Sequence, residues 1–269
     1  MARILLNPYC VAGLAVRSMV AIQSTEFIMP RKTLAYISQF AEPGSYSKST
    51  WRRIHGGDDE TVAIEALLDQ IGMLEKIDYL GIKAHEGEPL PDLDAIDGVI
   101  LGGSFASVSD NFRWQLEIAD WLARWRATGK PLMGICGGHQ LMSTVLGGQV
   151  EKNPAGPEVG SLPLAFTKEG RDHYLLDGFD ETSPFFFGNF DRVIEIPQGT
   201  TVLATRPTLP AAALDHGGNW VSVQFHPETT CDRMATCWSE IDPAQAARYS
   251  FIPGCERMIG NFIVGTGLL

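Results

Sequence analysis

Gly134-Ile135-Cys136-Gly137-Gly138-His139-Gln140 follows the apolar run Pro131-Leu132-Met133 and precedes the apolar segment Leu141-Met142-Ser143-Thr144-Val145-Leu146. A Gly-x-Cys-x-Gly core between a strand and a helix is the pattern of a nucleophile elbow, a sharp turn that presents a reactive atom at the C-terminal edge of a sheet. The strained turn brings neighbouring chain close, so small residues are needed two positions before and after the nucleophile. A sulfur there meets unpaired N–H groups and the positive end of the helix dipole. Both favour the thiolate, the form that attacks a carbonyl carbon. The N–H of Gly137 would face the oxyanion that such an attack creates. Competing readings of these residues are a buried structural cysteine, a glycine-rich phosphate loop, and half of a zinc site made by Cys136 and His139. A phosphate loop has no need of the thiol, and no second ligand pair stands at zinc spacing.

A base is available in Val221-Ser222-Val223-Gln224-Phe225-His226-Pro227-Glu228. Apolar and polar residues alternate there, as in a strand with one buried face, and His226 falls at its end. Pro227 biases His226 toward extended backbone, so Glu228, two positions on, projects to the same side as the imidazole. A carboxylate beside a histidine fixes its tautomer and stabilises the imidazolium. With the thiol it completes a set of nucleophile, base and orienting acid. His-Pro-Glu alone also reads as a capped helix start.

These groups need a sheet to carry them. Strands are expected at Arg3 to Leu6, Ile77 to Leu80, Gly98 to Leu101 and Pro131 to Ile135, alternating with helical patterns at Asp58 to Met73 and Trp114 to Trp125. Such alternation implies a parallel α/β sheet. Asp58, Asp59 and Glu60 load the first turn of one helix favourably for its dipole, and Gly129-Lys130-Pro131 ends the other. Trp114, Trp121 and Trp125 lie near one helical face and read as core. Beyond about residue 150 shorter β pieces follow, at Leu162 to Phe166, Arg192 to Ile196, Thr201 to Ala204, Ala211 to Leu214 and Trp220 to Phe225. The segment of about residues 10–57 is too long for an ordinary βα connection and reads as an insertion. The whole chain, 1–269, reads as a single domain, with a C-terminal elaboration at about 229–269.

Composition narrows the function classes. With 45% apolar residues the chain can bury a core without disulfides or metals. A net charge of −11 leaves no broad positive field for nucleic acid or anionic lipid. The five cysteines are odd in number and scattered, which points to a reducing, cytoplasmic setting, and Cys10, Cys231, Cys237 and Cys255 read as buried or incidental thiols. The opening MARILLNPYCVAGLAV has a short apolar run broken by Asn7 and Pro8, which suits a buried strand better than a signal peptide. No apolar stretch reaches the roughly 18 residues of a membrane span. His55, His85, His173 and His216 stand in polar, turn-like stretches and read as surface residues.

GICGGHQ around Cys136, VQFHPE around His226 and LGGSFASVSD from Leu101 to Asp110 resemble, in order and separation, the class I glutamine amidotransferases, especially the glutaminase domain of GMP synthetase. The resemblance covers about residues 58–228. It implies a three-layer, flavodoxin-like α/β fold: a mostly parallel sheet flanked by helices, with a smaller antiparallel or mixed β extension. It further implies a Cys136 γ-glutamyl thioester, a triad of Cys136, His226 and Glu228, oxyanion donors at Gly103 and Gly137, and Gln140 helping to hold the substrate. Gly102 joins the substrate side. Gly188-Asn189-Phe190-Asp191 occupies the loop that grips the amino acid end of glutamine, but departs from the family's usual residues before the aspartate. Asn189, Phe190 and Asp191 are therefore expected to give an altered grip. Neither metal nor organic cofactor is implied. The expected ligand is glutamine or a γ-glutamyl small molecule, and the expected partner is a separate synthetase that uses the ammonia, since no acceptor-activating domain is recognisable. A stand-alone γ-glutamyl peptidase and a non-catalytic subunit of the same fold are the alternatives.

Overall fold

Strand-forming runs rich in branched and aromatic side chains alternate with amphipathic helices along the chain, and the computed structural model describes residues 30–269. In chain order the elements are β1 (Thr33–Ser38), α1 (Glu60–Gln70), β2 (Asp78–Lys83), β3 (Gly98–Leu101), α2 (Arg113–Ala127), β4 (Leu132–Ile135) and α3 (Gly137–Val145). The second half adds β5 (Gln149–Lys152), β6 (Glu158–Pro163), β7 (Ala165–Phe166), α4 (Lys168–Arg171), β8 (Pro184–Asn189), β9 (Asp191–Glu195), β10 (Thr201–Arg206), β11 (Leu209–Asp215) and β12 (Trp220–Val223). Helices α5 (Cys231–Ser239), α6 (Pro243–Ala246) and α7 (Arg257–Gly265) follow.

The main sheet has the order β2-β1-β3-β4-β12-β11-β10-β7. Its first five strands are parallel, and β11, β10 and β7 continue it antiparallel. Numbered along the chain, the parallel part runs 2-1-3-4-5, the flavodoxin-like order. Two-stranded antiparallel pairs, β5-β9 and β6-β8, form the smaller extension. Alternate residues of the parallel strands enter two separate cores. Tyr36, Ile100, Met133 and Val223 face one side, with Ile64 and Leu68 of α1 and Met258, Ile259, Phe262 and Ile263 of α7. Ala35, Ile37, Val99, Leu101 and Leu132 face the other, against α2 and α3. Burial on both faces is why these strands read as continuous apolar runs. Trp114, Trp121 and Trp125 are buried as expected, the last two stacked at 5.1 Å. At about 25 cal/mol per Å² and 150–250 Å² per ring, each contributes roughly 4–6 kcal/mol of burial.

The expected strand Arg3 to Leu6 lies outside the described residues. Strand β1 instead comes from Thr33–Ser38, within the segment of about 10–57 that reads as an insertion. Its sequence TLAYIS spreads apolarity over Ala, Tyr and Ser, a weak local signal that becomes a buried strand once β2 and β3 pair on either side. Helix α1 is shorter than the 58–73 pattern because Asp59 caps it, accepting from Thr61 N at 3.0 Å, and because Gly72 leaves it with a φ of 69°. The single strand expected at 162–166 is two, β6 and β7, paired in different sheets. Strand β12 stops at Val223, since His226 N bonds Phe186 O at 2.8 Å and draws the chain toward β8. His85 and His216 are buried, not superficial. Among the described residues, no helix is long and apolar enough to cross a membrane.

Candidate active site

Strands β3, β4 and β12 are parallel neighbours in register, with Leu101 opposite Gly134 and Ile135 opposite Val223. Their C-terminal ends therefore release Gly102-Gly103, Cys136 and Gln224 to His226 at one place on the sheet edge. Open α/β sheets place their sites at such edges.

Cys136 caps α3 with φ 50° and ψ −104°. A side chain in that region carries strain of order 1–3 kcal/mol, which persists only where surrounding contacts enforce it. Here Cys136 N donates to Val223 O at 2.8 Å, and Gln140 N donates to Cys136 O at 3.0 Å. The glycines around the turn are required by close approach. A Cβ at Gly137 would lie 2.8 Å from Ser104 N, and one at Gly138 would collide with Leu101 O.

His226 Nδ1 lies 2.8 Å from Glu228 Oε1, with both side chains largely buried. Burial alone would lower the His226 pKa. The Glu228 carboxylate and then the charge and hydrogen bond of Cys136 overcome it and hold the value well above its ordinary range. The shift favours the protonated imidazole, which faces a sulfur at a helix N-terminus. Gly103 is wedged against both groups: a Cβ there would stand 2.9 Å from His226 Cε1 and 3.6 Å from Cys136 Cβ. Cys136, His226, Glu228 and Gly103 line one cavity.

A second cleft, of ≈ 400 Å³, shares Cys136 and contains Gln140, Asn189, Phe190 and Asp191. Gln140 Nε2 donates to Asp191 O and to Gln224 Oε1, both at 3.0 Å, so its amide protons serve the protein. Asn189 Nδ2 also donates to Asp191 O at 3.0 Å, while Phe190 is half-exposed and stacks on Trp238 at 5.1 Å. Gly102 lines neither space. Its carbonyl accepts from Gln39 Nε2 at 2.7 Å and from Gly138 N at 3.1 Å, tying β3 to the elbow.

Sequence reasoning passed over Gln224. Buried, it donates from Nε2 toward Cys136 Sγ at 3.5 Å while accepting from Gln140. Its place on the polar side of the alternation leading to His226 was the available signal. Reasoning also passed over Arg233, Trp51 and Phe40 in the wall beside Cys136, because α5 and the loop after β1 carry no recognisable motif, and it read Glu60 of α1 only as a helix-dipole residue. Among the described residues no group of three or more His, Cys, Asp or Glu side chains is placed to hold a metal ion.

Residues 63–238 match the model of the family described as glutamine amidotransferase class-I. A glutamine-hydrolyzing GMP synthase of Aeropyrum pernix is 34% identical over 160 residues, 57% of this chain and 29% of that protein. A Sulfurisphaera tokodaii protein, named as one of the subunits of a glutamine-hydrolyzing GMP synthase, is 32% identical over 160 residues, 58% of this chain and 81% of its own length. The chain thus spans less than a third of the first of these curated relatives and most of the second. Among solved structures, a glutamine amidotransferase from Thermotoga maritima superposes with a TM-score of 0.62 at 18% identity, covering 89% of this chain and 95% of that one. One from Methylobacillus flagellatus has the same TM-score at 19% identity, with 88% and 95% covered. At those identities the structures speak to the fold, whereas the match over residues 63–238 speaks to descent: the chain belongs to the class I glutamine amidotransferases.

Proposed function

We propose that the chain hydrolyses the side-chain amide of glutamine through a γ-glutamyl thioester on Cys136 and delivers the ammonia to a separate synthetase. The observation that carries this reading is the 2.8 Å contact of His226 with Glu228 beside a cysteine held at φ 50° on a helix N-terminus. The Cys136 thiolate attacks the δ-carbonyl carbon, and the oxyanion is received by the N–H groups of Gly103 and Gly137. As the C–N bond breaks, His226 gives its proton to the departing ammonia. The neutral imidazole then takes a proton from water, which hydrolyses the thioester to glutamate and restores the thiol. Glu228 keeps the imidazole in the right tautomer and stabilises its cation. Asn189, Phe190 and Asp191, beside Gln140, shape the cleft for the amino acid end of the substrate. Delivery to a partner is supported by the Sulfurisphaera tokodaii relative, whose name makes it one part of a larger synthase and which is matched over 81% of its length.

The test is ammonia release from glutamine by the purified chain. Loss of about 10³-fold or more in Cys136→Ala, with the fold retained, is expected. Turnover unchanged by that substitution sinks the proposal. A second reading, hydrolysis of larger γ-glutamyl amides without a partner, is favoured by one observation: a cavity lined by Cys136, Phe40, Trp51 and Arg233 adjoins the cleft that contains Gln140 and offers a departing group more surface than ammonia uses.

A further inference from the structure

A second thiol shares the cavity of Cys136. Of the four cysteines among the described residues, all of them free, Cys136 and Cys237 line it, whereas Cys231 and Cys255 do not. Cys237 stands on α5 four residues after Arg233, which also lines the cavity, so one face of that helix turns both side chains to the same space. Phe40 and Trp51 brace each other edge-on with centroids 5.1 Å apart. Cys237 packs against that pair while part of its surface stays open.

Helix α5 is also tied to the candidate base and acid. Its cap, Thr230, follows Glu228 by two residues and accepts from Arg233 N at 3.2 Å. The two thiols are electrostatic neighbours. Burial raises the pKa of Cys237, and the next cause is the charge of Cys136, ahead of that of Arg233 on the same helix. Their surroundings are unequal. Cys136 sits on a strained turn at a helix N-terminus and faces the His226 imidazole, whereas Cys237 is set among aromatic rings and keeps its proton. A nucleophilic cysteine with a second, resolving thiol beside it is the arrangement of an oxidant-sensing pair.

We propose that Cys136 and Cys237 form such a pair: a hydroperoxide oxidises Cys136, Cys237 resolves the product as a disulfide across the cavity, and the site is thereby closed reversibly. The inference rests on the reading of Cys136 as a nucleophile and adds a modification that silences it. Cys136 sulfur attacks one peroxide oxygen and the O–O bond breaks. The departing hydroxide takes the Cys136 proton and leaves as water, so that Cys136 becomes a sulfenic acid, oxidised by two electrons while the peroxide is reduced. Cys237 sulfur then attacks Cys136 sulfur and the S–O bond breaks. The second hydroxide leaves with the Cys237 proton, so two thiols and one peroxide give one disulfide and two waters. A disulfide joins Cα atoms about 4.4–6.8 Å apart, so forming it draws α5 and the elbow together over the cavity of ≈ 80 Å³ that both thiols line.

The experiment treats the full native chain and Cys237→Ser with hydrogen peroxide, with and without dimedone as a trap for sulfenic acid. Ammonia release from glutamine, intact mass and a non-reducing peptide map are then recorded. The native chain should lose activity together with the mass of two hydrogens. Its peptide map should join the Cys136 and Cys237 peptides, and dithiothreitol should restore both the thiols and the activity. Cys237→Ser should give no such link, should carry dimedone on Cys136, and after prolonged exposure should pass to a sulfinic acid that dithiothreitol does not reverse. The map of the native chain decides the point even where the serine variant fails to fold. Equal dimedone labelling of Cys136 in the two proteins, or a link from Cys136 to Cys10, Cys231 or Cys255, overturns the pair. Glutamine turnover in a native chain that forms no Cys136–Cys237 link overturns the pair alone. A link formed by a chain that never turns over glutamine upholds the pair and counts against the thioester reading, and a Cys136 inert to both peroxide and glutamine overturns the two together.

Discussion

Ser222 Oγ lies 2.7 Å from His139 Nδ1, joining the helix that begins at Cys136 to the strand that leads to His226. The same hydroxyl is 2.8 Å from His216 Nε2. A hydroxyl has one proton, so it donates to one imidazole and accepts N–H from the other, and both of these bonds form with the two rings neutral.

Acid should therefore loosen the site through this network. Burial, reinforced by His216, lowers the His139 pKa to about 3, and burial, reinforced by Arg126, lowers that of His216 to about 4. Both groups take up protons near 6.5 when unfolded, so their stabilising effect is whole above that pH and is lost as pH falls toward 4 and then 3. At pH 5 the loss is on the order of 2 kcal/mol for each ring. Urea unfolding at pH 7.5 and pH 5 checks this, and Ser222→Ala should cost about 1–3 kcal/mol at neutral pH. Equal stability at the two pH values refutes it.

Glu228→Gln keeps a hydrogen-bond partner for His226 and removes the charge. Burial then dominates, and the His226 pKa should drop from its raised position. His226 contributes stability that is complete below about 6.5 and is lost as pH rises through its raised folded value, so the variant's loss of stability is full below about 6.5 and narrows as pH rises. Turnover should fall by about 10²- to 10⁴-fold. Imidazole nitrogen chemical shifts across a pH series report the pKa directly. An unmoved midpoint assigns the raised value to some other cause.

Gly103→Ala tests position without altering any titrating group. The added methyl would press on His226 Cε1 at 2.9 Å. A displacement of this kind should lower kcat by about 100-fold while the melting temperature changes little. If activity is retained, the imidazole is not held where the contact implies.

Cys136→Gly should be more stable than Cys136→Ala by about 1 kcal/mol, because glycine adopts a φ of 50° without the strain of a Cβ. Both variants should lack turnover. Thermal unfolding of the pair decides the point, and a less stable glycine variant places the strain elsewhere.

Gln224→Leu should break the chain from Asp191 through Gln140 to the thiol. Turnover should fall by about tenfold, and Gln140 should lose the partner that keeps its amide on Asp191 O. Unaltered kinetics would make Gln224 a packing residue only.

The elbow at Cys136, the His-Pro-Glu segment and helices α1 and α2 are legible in the chain because each is set by neighbours a few positions away: small residues flanking a strained turn, a proline fixing an extended step, apolar side chains at helical spacing. What tertiary structure alone decided lies in long-range contacts. TLAYIS becomes strand β1 because β2 and β3 pair with it, and His216 is buried because Ser222 and Arg126 reach it from other elements. Arg233 meets the carbonyl of His55 across 178 positions of chain, a distance over which no periodicity or spacing carries a signal. The candidate nucleophile, base and acid are therefore written locally in the sequence, while the walls around them exist only where separate segments are packed together in the fold.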